Sequence, residues 1–270
     1  DGWTRLLWSD EFAGSAVDTS VWKPYNSTYG DGNHELQCLT PSNLAVGGGT
    51  LKITARRQEV TCPHDKQRSF TSGFIGSRET GTYFPAEAYY EIRAKVPHAQ
   101  GLWPAFWLRH RNGSSVAEVD VMEYFHSQRP GKSSQTLHLD GRKGLFKSNR
   151  FFEEPTETPA WQTWGVAIER VPEGVQFTFF TNGVPAQSFI DTQALWWQAA
   201  PQDAMFDIAI NMSVGGDWAG HPEDDRLGLL TNIGRCAQSG VYPDSCKTTG
   251  IRRADFPETY EVDYVRVFTR

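Results

Sequence analysis

Three carboxylates lie close together in one strongly apolar segment, residues 116–125. Glu118 and Asp120 alternate with small apolar residues, which predicts a β-strand with one apolar face. In a regular strand Glu123 would point to the opposite face, and burying its charge in the core would be costly. One extra residue near Val121-Met122, forming a β-bulge, would return Glu123 to the face of the other two carboxylates.

Such a cluster of carboxyl groups is suited to cleaving a glycosidic bond. Retaining glycosidases use two carboxyl groups about 5–5.5 Å apart, one as nucleophile and one as acid/base. Packed carboxylates cannot all ionise freely, so at least one pKa should rise and provide a proton donor. A solvated acidic face and a calcium site are the alternatives. The first fits poorly beside apolar neighbours, and calcium prefers carboxylates in a loop with backbone carbonyls.

An aromatic segment, residues 101–108, reads GLWPAFWL. Trp103, Ala105 and Trp107 would share one face of a strand. Two indoles on one face can form a stacking platform for sugar rings, with core packing as the alternative for Trp107. The chain has 10 Trp and 13% aromatic residues, which suits either a large aromatic core or a cleft for flat apolar surfaces.

Period-two patterns predict a chain built almost wholly of β-strands. They occur at residues 51–55, 89–96, 175–180 and 262–267, and residues 206–214 are uniformly apolar, as expected of a central strand. Asn182-Gly183 predicts a hairpin turn, and residues 191–198 could hold a short helical turn. With no internal repeat or linker, we expect one all-β domain over residues 1–270, a sandwich or a barrel.

Composition excludes several classes of function. The formal net charge is −6 and no dense basic run occurs, so nucleic acid and anionic membranes are poor partners. No apolar stretch reaches the roughly 18 residues of a membrane span. The first residues do not form a signal peptide, and we expect that any such peptide has been removed or was never present.

Four cysteines, Cys38, Cys62, Cys236 and Cys246, occur without a C-x-x-C motif. An even number in turn-rich segments favours disulfides and an oxidising compartment. Cys236 and Cys246 enclose a short loop and form the better candidate pair, which leaves Cys38 with Cys62. Four free thiols are the alternative.

The segment Glu118-Val-Asp-Val-Met-Glu123 resembles the E-x-D-x-x-E strand of the family 16 glycoside hydrolases, especially the laminarinase-like members. Further segments that resemble the family are residues 8–12, 33–37, 101–108, 210–220 and 262–267. The resemblance therefore spans nearly the whole chain. It implies a jelly-roll β-sandwich of two antiparallel sheets, with a concave face that a polysaccharide crosses.

The resemblance also implies roles for individual residues. Glu118 would be the nucleophile, Glu123 the acid/base, and Asp120 would position Glu118. His138 matches a family histidine near the catalytic pair, although a lone histidine is more often structural. Residues 33–37 would line the donor side of the cleft and residues 210–220 the other side. The implied substrate-binding residues are Asn33, Glu35, Trp103, Trp107, His138, Asn211 and Trp218.

Two positions depart from the family pattern. Phe74 stands where the family often has an arginine in T-S-[GA]-R, and Leu139 replaces the tryptophan of H-W-x-G. Both are expected at sugar contacts, so they leave the preference for β-1,3-glucan open. The family further implies one structural Ca²⁺ on the convex side, held by the carbonyls of Glu11 and Gly49 and the side chain of Asp263. No cofactor is expected for catalysis.

The leading hypothesis is a retaining endo-β-glucanase that cleaves β-1,3 or mixed β-1,3/1,4 glucans. The same mechanism on a β-galactan, of agar or arabinogalactan type, is the alternative that Phe74 and Leu139 motivate. A lectin-like carbohydrate-binding sandwich is a third hypothesis, although it would not need two glutamates on either side of an aspartate. We expect a secreted monomer.

Overall fold

The computed structural model describes residues 2–125, 131–151, 159–198, 204–223 and 254–270, with the backbone alone for residues 148–151. Within these ranges the chain forms eighteen strands and two short helices. The strands are β1 (Arg5–Asp10), β2 (Lys23–Pro24), β3 (Gln37–Leu39), β4 (Leu44–Gly47), β5 (Thr50–Cys62), β6 (Lys66–Ser72), β7 (Phe74–Gly76), β8 (Phe84–Pro85), β9 (Ala88–Lys95), β10 (Leu102–His110), β11 (Ala117–Tyr124), β12 (Lys132–Leu139), β13 (Arg142–Phe151), β14 (Gln162–Val171), β15 (Gly174–Thr181), β16 (Val184–Asp191), β17 (Met205–Val214) and β18 (Glu258–Thr269). The helices are α1 (Leu195–Gln198) and α2 (Gly216–Ala219), and single 3₁₀ turns occur at Asp31–Asn33, Pro41–Asn43 and Pro63–Asp65.

The strands form two sheets packed face to face. The larger has ten strands in the order β16-β15-β14-β9-β18-β5-β6-β3, with β1 added to β18 and β4 to β5. The smaller has eight in the order β13-β12-β11-β10-β17-β7-β2, with β8 beside β17. Among the described strands every pairing is antiparallel except that of β3 with β6. The predicted all-β sandwich of two antiparallel sheets is confirmed.

The main hydrophobic core lies between the two sheets and follows the predicted alternation. On β9, Tyr90, Ile92 and Ala94 are fully buried, while the intervening side chains are partly exposed. Phe106 of β10 and Val119 of β11 meet them from the other sheet. None of the helices in the described part of the chain has the length and apolar character needed to cross a membrane.

Local turns agree with the sequence chemistry. Asn182 and Gly183 connect β15 to β16 with φ of 52° and 72°. Positive φ at both central residues is typical of the tight hairpin turns that favour Asn-Gly. The short helical turn expected in residues 191–198 is α1, whose two tryptophans belong to the main core.

A disulfide joins Cys38 and Cys62, with their Cα atoms 5.8 Å apart. It ties β3 to the end of β5, which confirms that pairing. Cys236 and Cys246 lie outside the described residues.

Side-chain ion pairs surround the residues predicted to hold calcium. Asp263 was the expected side-chain ligand, but its carboxylate is paired with the guanidinium of Arg93. Glu11 forms an ion pair with Arg266 through both carboxylate oxygens, at 2.9 Å each. Gly49 lies in the turn between β4 and β5. The backbone carbonyls of Glu11 and Gly49 are not involved in these ion pairs. The calcium site therefore stays a prediction, in which the ion would compete with Arg93 for the Asp263 carboxylate.

The outer face of the smaller sheet carries a second apolar cluster, separate from the main core. Its buried members are Leu39, Phe74, Ala105, Trp107 and Ala209, with Tyr25 and Trp103 packed against them. Trp103, Ala105 and Trp107 thus share one face of β10, while Phe106 belongs to the main core. This face forms the floor of the cleft described next.

Candidate active site

The predicted bulge is present in β11. Asp120 pairs with Thr136 of β12, whereas Glu123 pairs with Ser134. Three steps along β11 therefore match two steps along β12, and the interruption includes Val121. Because of this extra residue, Glu123 returns to the face that carries Asp120.

The result is a cluster of three carboxylates in one cleft. Glu118, Asp120 and Glu123 line the same cavity, which has a volume of about 450 Å³. Val121, Met122 and Tyr124 are fully buried in the core between the sheets. The bulge thus separates the acidic residues from the apolar ones without placing a charge in the core.

Burial raises the pKa of all three carboxyl groups, and repulsion between carboxylates adds to this effect at Asp120 and Glu123. Burial raises the pKa of Asp120 and Glu123 well above the ordinary values, and neighbouring carboxylates raise both further. Burial also raises the pKa of Glu118, but Arg109 and Lys143 are among the nearby groups that oppose this increase. Glu118 is therefore better suited to remain ionised, and Glu123 to carry a proton.

Glu123 is held by a direct hydrogen bond from the aromatic floor. The Trp103 indole Nε1–H donates to Glu123 Oε1 at 3.2 Å. The ring of Trp103 is half-buried and packs against Phe125, with 5.1 Å between ring centroids. Trp103 thus does more than offer a flat surface, because it also orients a carboxyl group.

His138 lies beside the other two carboxylates. Its Nε2 is 3.2 Å from Asp120 Oδ2 and 3.9 Å from Glu118 Oε1. The backbone N–H of Gly144 donates to His138 Nδ1 at 2.9 Å, so Nδ1 carries the lone pair. In the neutral ring the proton is therefore on Nε2 and points at Asp120. Gly144 has a φ of 61°, a conformation that favours glycine.

The tautomer of His138 bears on metal binding. Ligand atoms of Glu118, Asp120 and His138 lie within 4.8 Å of one another, the one such group found among the described residues. A neutral histidine binds a metal through a ring nitrogen that carries a lone pair, but here the nitrogen facing the carboxylates carries the proton. The cluster is thus built for hydrogen bonding to Asp120 rather than for holding a metal ion.

Asn33, which is partly exposed, and Glu35, which is buried, form a polar wall on one side of the carboxylates. Glu35 accepts hydrogen bonds from Gln37 Nε2 at 2.7 Å and from Asn33 Nδ2 at 3.2 Å. Burial raises the pKa of Glu35. Asn33, Glu35 and the three carboxylates of β11 line one continuous cavity, in agreement with the predicted place of Asn33 and Glu35.

Asn211 and Trp107 extend this wall across the floor. The Trp107 Nε1–H donates to Asn211 Oδ1 at 2.8 Å, and Asn211 Nδ2 donates to Ser213 Oγ at 3.2 Å. Trp107 is only 9% exposed. It is therefore mainly a packed support whose edge reaches the cleft, and Trp103 is the more accessible of the two indoles.

Trp218 reaches the cleft from α2. The prediction that residues 33–37 and 210–220 lie on opposite sides of the cleft is wrong. His34 Nδ1 lies 2.9 Å from Asp217 Oδ2, so residues 33–37 and 210–220 meet on the same side of the cleft instead of facing each other. The Lys147 Nζ of β13 lies 5.5 Å from the centroid of the Trp218 ring.

The two departures from the family pattern do not contact the cleft, contrary to expectation. Leu139 is fully buried in the main core, because it pairs with Ala117, whose side chain also points between the sheets. Phe74 is fully buried beneath Tyr25, with which it stacks at a centroid distance of 4.1 Å. Neither side chain is available to touch a sugar.

Two residues on the cleft face, Tyr29 at its surface and Arg109 buried beneath it, were missed by the sequence analysis. Tyr29 is 48% exposed, lies edge-on to Phe74 and lines the donor-side cavity. Arg109 forms a buried ion pair with Asp207. Arg109 follows Trp107 by two residues, so the alternation already applied to this strand could have placed it on the cleft face. Tyr29 has no comparable signal, because it lies outside a long strand.

The fold and the site together define a class of protein: a β-sandwich that carries a bulged strand of catalytic-type carboxylates in an aromatic cleft. The family model described as "Glycosyl hydrolases family 16" matches residues 19–227, and the chain belongs to this family.

Relatives and solved structures agree with that assignment. The chain is 30% identical to a beta-glucanase of Rhodothermus marinus over 98% of its own length and 85% of the relative. It is 29% identical to glucan endo-1,3-beta-glucosidase A1 of Niallia circulans, again over 98% of its length, but spans only 38% of that longer protein. The structure of an endo-beta-1,3-glucanase from Pyrococcus furiosus superimposes with a TM-score of 0.75 at 26% identity, covering 98% of this chain and 94% of the other.

Proposed function

We propose that this chain is a retaining endo-β-glucanase that hydrolyses β-1,3 or mixed β-1,3/1,4 glucans. The observation that carries the proposal is the bulge at Val121, which places Glu123 in the same cleft as Glu118. The names of the relatives from Rhodothermus marinus and Niallia circulans support a glucan as substrate.

In the first step Glu123 donates its proton to the leaving glycosidic oxygen while the Glu118 carboxylate attacks the anomeric carbon. The raised pKa of Glu123 keeps that proton available. The hydrogen bond from Trp103 fixes the direction in which the proton is presented. A covalent glycosyl-enzyme results, with inverted configuration at the anomeric carbon.

In the second step the ionised Glu123 removes a proton from water, which attacks the same carbon and releases Glu118. The two inversions restore the original configuration. Asp120 lies between the glutamates in sequence and holds the proton of His138 Nε2 in a 3.2 Å contact. This contact fixes the orientation of Asp120. Burial and repulsion from the Glu118 carboxylate raise the pKa of Asp120, so Asp120 can lose its proton when Glu118 becomes a neutral ester.

The structure removes the observation that favoured a β-galactan as substrate. It rested on Phe74 and Leu139 as altered sugar contacts, and both side chains are fully buried away from the cleft. A non-catalytic binding module would not require Glu123, whose raised pKa suits an acid catalyst.

A panel of polysaccharides tests the proposal directly. Purified protein is incubated with laminarin, barley mixed-linkage glucan, cellulose and agarose, and new reducing ends are counted over time. We expect rapid cleavage of laminarin or of the mixed-linkage glucan, with oligosaccharides as early products. Glu118→Gln should abolish it. Cleavage of agarose alone, or tight glucan binding without new reducing ends, would contradict the proposal.

We also propose that the protein acts as a monomer outside the cell. A polymer too large to enter cells must be met outside them. The disulfide between Cys38 and Cys62 supports this location, because disulfides persist in oxidising compartments.

A further inference from the structure

Two lysines of β13, Lys143 and Lys147, line the cavity that holds the catalytic carboxylates. Both side chains are exposed, and in the described part of the chain no carboxylate lies within ion-pair distance of either. Lys52 and Lys95, in contrast, both pair with Glu261. The cleft of a chain whose net charge is −6 thus contains two ammonium groups without a carboxylate partner.

The strand register places Lys147 at a defined distance from the reaction centre. Lys147 pairs with Thr136 of β12, which pairs with Asp120 of β11. Since neighbouring strands are about 4.8 Å apart, Lys147 lies roughly 10 Å along the cleft from Asp120. A saccharide chain that crosses these strands reaches Lys147 only beyond the sugar that reacts.

Lys143 lines a different part of the same cavity. It lines the cavity together with Ser114 and Gly141, whereas Lys147 approaches Trp218. Leu137 pairs with Phe146 and Leu139 with Arg142, so four steps along β13 match only two along β12, and this irregularity shortens the span between the two lysines. A polysaccharide leaving the carboxylates in this direction passes close to both ammonium groups.

The chemistry of these groups indicates the kind of sugar they would meet. A lysine ammonium is a compact, strongly hydrated point charge, which gains most from an anionic partner and little from neutral hydroxyls. Trp218 beside Lys147 supplies a flat face for a sugar ring, so an anionic substituent on that ring would lie close to the ammonium.

We propose that the sugar bound over β13 carries an anionic substituent, a carboxylate or a sulfate ester, which Lys143 and Lys147 bind. This inference rests on the proposed glucanase function and adds to it a preference for glucans that bear acidic groups over neutral ones. The site recognises the shared negative charge, and the experiment distinguishes the two sources.

The test compares three forms of one polymer: laminarin, lightly sulfated laminarin, and laminarin partly oxidised at C6 to carboxylates. We expect kcat/KM to be about three- to tenfold higher for at least one anionic form at low salt, the size that two exposed ion pairs allow. The gain should vanish near 1 M NaCl, where the screening length falls to about 3 Å. Mass spectrometry should locate the anionic sugar at a fixed distance from the new chain end.

Variants assign the preference to the two lysines. The double variant Lys143→Gln/Lys147→Gln should lower the ratio of anionic to neutral kcat/KM to about one. Lys52→Gln/Lys95→Gln removes the same charge from the larger sheet and should keep the ratio. Equal cleavage of all three polymers by the unaltered protein, or an intact ratio in the double variant at β13, would overturn the inference. Cleavage of none of them would instead refute the proposed function.

Discussion

Trp103 donates its indole N–H to Glu123 Oε1 at 3.2 Å, which links the aromatic floor of the cleft to the proposed acid/base. The two residues lie on neighbouring strands, β10 and β11, and the register places Glu123 opposite Ala105, next but one to Trp103. The bond stabilises the ionised carboxylate and therefore lowers the pKa of Glu123 against the larger effects of burial and of neighbouring charge.

Replacing the donor while keeping an aromatic ring tests this link. Trp103→Phe should lower kcat by about three- to tenfold, the usual net value of one hydrogen bond. It should also raise the pKa of Glu123, because the anion loses its donor. Glu123 must be protonated in the first step, so the alkaline limb of the kcat/KM profile should move to higher pH.

Trp161→Phe is the matched control. Trp161 lies 5.0 Å from both Arg93 and Lys95, on the larger sheet and away from the cleft. This variant should leave the pH profile unchanged. A Trp103→Phe profile that keeps its alkaline limb, or shifts it to lower pH, would show that the hydrogen bond does not act on the acid.

The assignment of the two glutamates can be tested separately by azide rescue. Glu118→Ala and Glu123→Ala should each reduce activity by about 1,000-fold or more on natural glucan. With an oligoglucoside that carries a dinitrophenyl leaving group, azide can enter the space of the missing carboxylate. Glu118→Ala should yield the α-glycosyl azide, and Glu123→Ala the β-glycosyl azide. If Glu118→Ala gave the β-glycosyl azide and Glu123→Ala the α-glycosyl azide, Glu123 would be the nucleophile and Glu118 the acid/base.

The sequence predicted the bulge because two simple rules conflicted there. Period two would have placed Glu123 in the core, and burying that charge is too costly, so an extra residue was required. The same reasoning could not reach His138, because its tautomer depends on the backbone N–H of Gly144 on another strand. Such a contact follows from three-dimensional register and not from spacing along the chain.

Family motifs were less reliable where they implied side-chain contacts. Phe74 and Leu139 align with sugar-binding positions, yet both are buried. Leu139 is opposite Ala117 and shares its orientation toward the core, and Tyr25 covers Phe74. A sequence motif indicates the position of a residue along a strand, whereas its burial depends on the neighbouring segments that pack against it.

The raised pKa of Glu123 has a consequence for stability. A carboxyl group whose pKa is higher in the folded state favours folding while it is protonated, and this contribution is lost as pH rises through the folded pKa. Glu123→Gln cannot ionise, so it avoids that loss. The variant should be inactive but melt at a higher temperature than the unaltered protein at neutral pH.

The sign of this effect is checked by its pH dependence. The difference in Tm should be small near pH 4, about the ordinary pKa of glutamate, and grow as pH rises through the folded pKa of Glu123. Glu173→Gln, an exposed residue in the turn between β14 and β15, should show no such trend. A variant that is less stable than the original at every pH would contradict the account.

The ion pairs at Asp263 and Glu11 make a further prediction. Because Asp263 pairs with Arg93 and Glu11 with Arg266, we expect that the fold does not depend on calcium in this region. Incubation with excess EGTA followed by dialysis should leave Tm within about 1 °C of its starting value, less than the shift expected from 1 kcal/mol. If EGTA lowered Tm and added Ca²⁺ returned it to its starting value, the predicted calcium site would be supported.

Proton NMR of the first product formed from a β-glucan tests the central claim most directly. If the bulge at Val121 brings Glu118 and Glu123 together as nucleophile and acid/base, the new reducing end must appear first as the β-anomer and convert to α only by later mutarotation. An α-anomer as the initial product would show a single displacement by water, and the proposed roles of the two glutamates would then be wrong.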